Sequence, residues 1–150
     1  MRFHLIDRIE AWESGVSLRG RKVTSADESY WTPTPNGAVM PAALVLEALA
    51  QAGTWLLLLS TGYKRRAALA SAASVRWHTE VLPGDVLDLD VRFVSFDETA
   101  VTLDGTVRVG DRTVLEVSGL MCAALGSDQL EDPEDTERMG RHLLRTEVLR

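Results

Sequence analysis

The sequence predicts an α+β domain in which one long helix is enclosed by an antiparallel sheet of five or six strands. Two observations carry this prediction. Residues 39–59 form a nearly unbroken apolar run, and as a helix this run would be apolar on almost every side. The segments that follow alternate between apolar and polar side chains, which is typical of strands with one buried face. Because such a helix must be buried, we expect the sheet to wrap around it.

Two strands and a loop are expected before the helix. The strands are expected in residues 3–12 and 16–24, with Gly15 at the turn between them. The proline-rich stretch "WTPTPNG" is expected to form a loop. The helix is expected over residues 41–60, with Pro41 as its first helical residue, because the missing N–H of a proline costs nothing there.

Four strands are expected after the helix. The first is rich in small residues and ends at a Pro-Gly-Asp turn, and a Gly-Asp pair separates the last two as a hairpin turn. The expected ranges are 67–82, 85–93, 100–110 and 112–125.

The chain of 150 residues is predicted to form one domain, residues 1–126, followed by an acidic linker and helical appendage, residues 127–150. The appendage contains a helix that is expected to start near Pro133. Its weak apolar stripe consists of Met139, Leu143 and Leu144. These residues leave open whether the appendage is docked on the domain or partly disordered.

Charge and cysteine content exclude several functions. The net charge of −6 argues against nucleic acid or an anionic membrane as a partner, since both require clustered Lys and Arg. A single cysteine, Cys122, excludes an internal disulfide and a cysteine-based metal cluster, and its apolar surroundings indicate a buried, unreactive residue. The aspartates of the alternating strands are expected to form a solvated face, so we expect neither a metal nor another cofactor.

The helix is long enough to cross a membrane, but Glu47 and Gln51 near its centre would be costly in lipid. A buried helix of a soluble protein is therefore the better interpretation. The N-terminus carries charges and has no apolar stretch typical of a signal peptide, so we expect a cytoplasmic protein.

One polar stripe runs along this helix. Glu47, Gln51 and Thr54 follow the i, i+4, i+7 spacing and therefore share one face. The stripe is either a narrow solvent-facing edge or the place where a carboxylate meets an apolar cavity. In the second case, desolvation would raise the pKa of the Glu47 carboxyl, so that it could deliver a proton near neutral pH. At the helix start, the free amides of Ala42 and Ala43 could polarise a carbonyl oxygen.

Three stretches resemble one known family. "VMPAALVLEALAQ" is similar to the helix of the beta-hydroxyacyl-acyl-carrier-protein dehydratases of the FabA/FabZ type, whose pattern is G-H-F-P-G-x-P-V-M-P-G-x-L-x-x-E/D-A-x-x-Q. "FHLIDRI" is similar to the family's F-L-L-V-D-R-V, and "SVRWHTEVLPGDVLDLDVRF" to its A-R-F-x-x-x-V-x-P-G-D-x-L. The three stretches occur in the family's order and together span about residues 3–125.

The resemblance implies a hot-dog fold and a dimer whose active sites are shared between subunits. It also implies a mechanism in which a histidine removes the proton alpha to a thioester and an acid on the partner's helix protonates the departing hydroxyl. The acid falls on Glu47 and a supporting glutamine on Gln51. The amides that hold the thioester oxygen fall on Ala42, where the family has glycine, and on Ala43.

This chain departs from the family at the base. The family's histidine falls on Pro33, which has no side-chain nitrogen, while Pro35 matches the family's proline two residues later. The three histidines of the chain, His4, His78 and His142, are expected to be surface residues or satisfied by local partners.

Three hypotheses remain open at the level of the sequence. The chain could be a dehydratase-type hydro-lyase subunit of fatty acid or polyketide biosynthesis that requires a histidine-bearing homologue. It could be a hot-dog thioesterase in which Glu47 is the nucleophile or general base. It could also be a non-catalytic binder of acyl thioesters. The retained Met40, Pro41, Glu47 and Gln51 favour the first. Whether a homodimer is active, the acyl-chain length, and the choice between acyl carrier protein and coenzyme A stay open.

Overall fold

The computed structural model describes residues 4–126 and 132–145. Its elements, in chain order, are β1 (Arg8–Glu13), β2 (Ser17–Val23), β3 (Thr32–Thr34), β4 (Gly37–Val39), α1 (Ala42–Ser60), β5 (Arg65–Trp77), β6 (Val86–Phe96), β7 (Ala100–Val109), β8 (Arg112–Gly126) and α2 (Pro133–Leu143).

Six of the strands form one antiparallel sheet in the order β1-β2-β6-β7-β8-β5. Helix α1 lies against this sheet and contacts β2, β5, β6, β7 and β8. Strand β5 directly follows α1 in the chain but lies at the far edge of the sheet, beside β8. This arrangement is the hot-dog architecture, and it confirms the predicted sheet around one long helix.

The core forms where α1 packs on the sheet. Leu49, Leu56, Leu57 and Leu58 of the helix are completely buried. By length and composition α1 could cross a membrane, but most of its apolar stretch is buried inside the protein. The helix approaches the sheet closely at Gly105 of β7, where an added Cβ would lie 3.0 Å from the Leu49 side chain and 2.9 Å from a backbone oxygen. Only glycine allows this contact without a shift of the backbone.

The proline-rich stretch forms a small hairpin, where the sequence had predicted a loop. Strands β3 and β4 pair with each other, and Pro33 lies opposite Ala38. The Thr34 hydroxyl donates a hydrogen bond of 2.6 Å to the Gly37 carbonyl and closes the turn. Two short strands bounded by prolines have too few alternating residues to be recognised from the sequence.

Two predicted boundaries were wrong. Pro41 precedes the helix as its N-cap, with φ −55° and ψ 134°, so its backbone is extended where a helical residue was expected. Strand β5 ends at Trp77 and does not continue to residue 82. The backbone leaves the sheet there because Val81 accepts a hydrogen bond of 2.9 Å from the Met40 amide. This bond joins the segment after β5 to the residue that leads into the helix.

The C-terminal helix α2 is docked on the domain. Leu143 of its predicted apolar stripe is 1% exposed, and Met139 and Leu144 pack against the core. The helix begins after Asp132, whose side chain accepts a hydrogen bond from the Glu134 amide, as an N-cap does. The linker, residues 127–131, lies outside the described residues, and the domain boundary after residue 126 stays a prediction.

Candidate active site

The predicted polar stripe of α1 lines a cavity. This cavity, here called the Glu47 cavity, has a volume of about 640 Å³ and lies between α1, β5, β8 and α2. Glu47, Gln51 and Thr54 all line it, together with apolar side chains that include Trp55 and Leu69. The stripe therefore lies beside a partly apolar cavity, and Glu47 on it is also exposed to solvent, so features of both interpretations are present.

Gln51 fixes the position of this part of the helix. Its side-chain oxygen accepts a hydrogen bond of 2.7 Å from the Leu5 backbone amide. Its side-chain nitrogen donates to the Glu47 carboxylate at 3.3 Å. Through the first bond, Gln51 joins the helix to the segment that precedes β1. Through the second, it pairs with the Glu47 side chain one turn earlier on the same helix.

The same connection brings an unexpected histidine to the site. His4, next to Leu5, is exposed but lines the Glu47 cavity, so the expectation of an unrelated surface histidine was incomplete. Sequence reasoning missed this placement because it depends on a contact between residues 5 and 51. The pairing of an N-terminal segment with the middle of a helix leaves no local pattern in the sequence.

Glu47 is exposed in the single chain. The cavity has apolar walls from Ala50 and Trp55 on the helix and from Leu69 on β5, but the Glu47 side chain stays exposed beside them. The desolvation predicted for Glu47 therefore requires atoms that the described part of this chain does not supply.

A second cavity lies at the start of α1. It has a volume of about 500 Å³ and is lined by Pro41, Ala42 and Val45 together with residues of the 77–81 segment. The amides of Leu44 and Val45 donate to the Pro41 carbonyl at 2.9 and 3.3 Å, whereas Ala42 and Ala43 are exposed. No side chain among the described residues caps this helix end, and its first turn contains no acid. The positive end of the helix dipole is thus available to an oxygen that gains negative charge.

The two cavities separate the predicted site residues. Ala42 lines the helix-start cavity and Glu47 lines the other, and five residues of helix place them about 7.5 Å apart along the axis. Pro33 is exposed in β3, next to Thr32, which lines the helix-start cavity. Within one chain, Ala42 and Glu47 therefore line different cavities.

His78 and His142 are surface residues, as predicted from the sequence. Nε2 of His78 lies 2.8 Å from the Glu116 carboxylate, and both side chains are about two-fifths exposed, so His78 is a satisfied surface residue at the rim of the helix-start cavity. His142 is exposed on α2.

A buried polar network supports the segment in front of the hairpin. Lys22 is 5% exposed and donates to Glu28 at 2.6 Å, and the Tyr30 hydroxyl donates to the same carboxylate. Burial tends to raise the pKa of Glu28, but the hydrogen bonds from Lys22, Tyr30 and Ser25 together lower it. Burial, and then the bond to Glu28, raises the pKa of Tyr30. The Tyr30 ring packs against Trp31 with centroids 5.1 Å apart.

The next residues to consider are Cys122, as a possible nucleophile, and the aspartates of the strands, as possible metal ligands. Cys122 lines the Glu47 cavity, but burial raises the pKa of its thiol, so it stays protonated and unreactive near neutral pH. Within residues 4–126 and 132–145, no three His, Cys, Asp or Glu side chains lie close enough to hold a metal ion. Asp104 instead accepts a hydrogen bond of 2.9 Å from the Gly119 amide.

We expect Gln51→Leu to lower the free energy of unfolding by about 1–3 kcal/mol, because it leaves the Leu5 amide without an acceptor. Thr54→Val is the matched control, since the Thr54 hydroxyl makes only a 3.5 Å contact with the Ala67 carbonyl. Urea unfolding of both variants measures the difference. Equal losses in the two variants would contradict the anchoring role of Gln51.

Comparison with known proteins identifies the family of this chain. Residues 1–118 match the family described as the FabA-like domain. The 3-hydroxyacyl-[acyl-carrier-protein] dehydratase FabZ of Roseiflexus sp. (strain RS-1) is 36% identical over 128 residues, which cover 84% of this chain and 88% of that protein.

Solved structures show the same fold at low identity. A Streptococcus mutans protein bound to acetyl CoA superposes with a TM-score of 0.65 at 16% identity, covering 84% of this chain and 94% of that one. The dehydratase heterocomplex ApeI:P from Xenorhabdus doucetiae superposes with a TM-score of 0.63 at 13% identity, covering 91% and 88%. The family match and the dehydratase relative together decide the assignment: this chain belongs to the FabA-like family and is a hydroxyacyl-acyl-carrier-protein dehydratase-like protein.

Proposed function

We propose that this chain is the acid-bearing subunit of a dehydratase that acts on 3-hydroxyacyl thioesters, and that a histidine-bearing homologue supplies the base. One observation carries the proposal: Glu47 lies in a cavity with Gln51 bonded to it, while the position of the family's base is occupied by Pro33. Glu47 and Gln51 would supply the acid half of the site, whereas Pro33, at the position matched to the family's base, has no side-chain group that can accept a proton.

In the proposed reaction, the partner's histidine removes the proton on the carbon next to the thioester carbonyl. Negative charge develops on the carbonyl oxygen, and the amides of Ala42 or Ala43, or their counterparts in the partner, hold it. Glu47 donates its proton to the 3-hydroxyl group, which leaves as water, and a trans-2-enoyl thioester remains. Gln51 keeps the carboxyl in position through its 3.3 Å bond.

The edge of the sheet supports assembly with a second subunit. Strand β5 has 13 residues and is an edge strand: among the described strands it pairs with β8 alone. Leu69 on this strand is 46% exposed, and Met121 on the adjacent strand is 50% exposed. Pairing with a second hot-dog subunit would cover this edge. Because Ala67, Ala68 and Leu69 of β5 line the Glu47 cavity, the partner would then lie beside Glu47 and supply the missing desolvation.

Two similar proteins support an acyl thioester as the substrate. The Roseiflexus relative is named for an acyl-carrier-protein substrate, and the Streptococcus mutans structure holds acetyl CoA. We therefore propose an acyl thioester of carrier protein or coenzyme A as substrate, in the cytoplasm, with fatty acid or polyketide biosynthesis as the pathway.

Thioester hydrolysis is the second candidate. The observation in its favour is that the Glu47 cavity holds a carboxylate without the family's base, and a carboxylate alone can activate water or attack a carbonyl. His4 at the same cavity could assist such a reaction.

The test measures both reactions side by side. The chain is co-expressed with each histidine-bearing homologue of its organism, and the purified assembly is given a 3-hydroxyacyl thioester. Formation of the conjugated enoyl thioester reports dehydration, and release of free thiol reports hydrolysis. We expect dehydration by a mixed assembly whose mass, from light scattering, contains both subunits. Thiol release that depends on Glu47, without enoyl product, would replace the proposal by the thioesterase.

A further inference from the structure

Helix α2 lies outside the part of the chain that matches the FabA-like family, which ends at residue 118. It nevertheless contributes to the cavity that contains Glu47. Asp135, Thr136 and Met139 of α2 line this cavity opposite the residues from α1 and β5. Helix α2 thus contributes a wall to the cavity in which the proposed substrate would lie.

The helix is held firmly enough to act as a wall. Gly140 of α2 packs directly on the ring of Tyr63, where an added Cβ would lie 2.4 Å from the tyrosine oxygen. Tyr63 follows the end of α1, has a positive φ of 66°, and donates its amide to the Leu58 carbonyl at 2.7 Å. Thr136 and Leu143 of α2 are 3% and 1% exposed. The docking of α2 therefore depends on close packing against the end of the catalytic helix.

Met139 is the apolar member of this wall. Asp135 is exposed and forms an ion pair of 3.2 Å with Arg138, so its charge stays near solvent. Met139 is half-buried against the core and faces the same cavity as Trp55 and Leu69. An unbranched apolar side chain at this place can fill the space that an acyl chain would otherwise occupy.

We propose that α2 determines the acyl-chain preference of this protein, and that Met139 limits the length of chain that the Glu47 cavity accepts. The inference rests on the proposed function only in taking an acyl thioester as the occupant. It adds a specificity-determining residue that lies beyond residue 118, where the match to the family ends.

Binding of saturated acyl-coenzyme A thioesters tests the proposal without turnover. Calorimetric titration of the purified protein with butyryl-, octanoyl- and dodecanoyl-coenzyme A gives the wild-type preference. Met139→Ala should move the preference to longer chains, with binding tighter by about fourfold for each additional methylene that becomes buried. Met139→Trp should move it to shorter chains.

Val94→Ala is the control, because it shortens an exposed apolar side chain of β6 that does not line the cavity. The proposal is overturned if neither Met139 variant changes the preference, if the control changes it equally, or if the wild-type protein binds none of the three thioesters. A shifted preference, together with mixed assemblies that show neither dehydratase nor hydrolase turnover, would support the role of α2 while rejecting the proposed reaction.

Discussion

Replacing Glu47 by glutamine is expected to lower dehydration by the mixed assembly by about 10²–10⁴-fold, the contribution of a positioned general acid. The amide keeps the shape of the side chain and can still pair with Gln51, which lies at 3.3 Å. It has no carboxyl proton to give to the departing hydroxyl. The rate of enoyl thioester formation, at saturating 3-hydroxyacyl thioester, measures the loss.

Glu98→Gln serves as the control for this variant, since Glu98 is exposed in the turn between β6 and β7 and lines neither cavity. Its rate should equal that of the wild type. If Glu47→Gln retained full activity, the acid of the reaction would have to be another group, and the carry-over from the family would be wrong at this residue.

The chain by itself is expected to dehydrate 3-hydroxyacyl thioesters about 10²–10⁴-fold more slowly than the mixed assembly, because a positioned general base is missing. Light scattering of the chain alone should give a mass of about twice 16.5 kDa or a multiple of it, since closed pairing covers the β5 edge. Addition of the histidine-bearing partner should restore the rate.

Two variants of the chain alone separate the explanations for any residual rate. Pro33→His should leave the rate low, because the hairpin around it, with Thr34, Asn36 and Gly37, differs from the family's loop and directs the ring differently. His4→Gln should also have no effect. Efficient dehydration by the chain alone that disappears in His4→Gln would place the base in the Glu47 cavity and refute the need for a partner.

Local patterns were sufficient for most of the architecture. The apolar run of α1 and the alternation in β6, β7 and β8 predicted those elements to within a few residues, because burial on one face or on all faces leaves a direct periodic trace. The spacing of Glu47 and Gln51 likewise predicted a shared face. The substitution at Pro33 was visible because the surrounding motif sets its register.

Other features depended on contacts between distant residues. The end of β5 at Trp77 follows from the bond between Val81 and Met40, and the place of His4 follows from the bond between Leu5 and Gln51. No periodicity records such pairs, since each involves segments about forty or more residues apart.

The sequence by itself was sufficient for the fold class and the family, and it predicted Glu47 as the acid and Pro33 at the position of the family's base. Each of these depends on residue identity or on spacing along one element. Only the tertiary structure decided that Glu47 and Ala42 line separate cavities, and that α2 lines the Glu47 cavity. The physical reason is that a cavity is formed by several elements at once, so its shape depends on how they pack together.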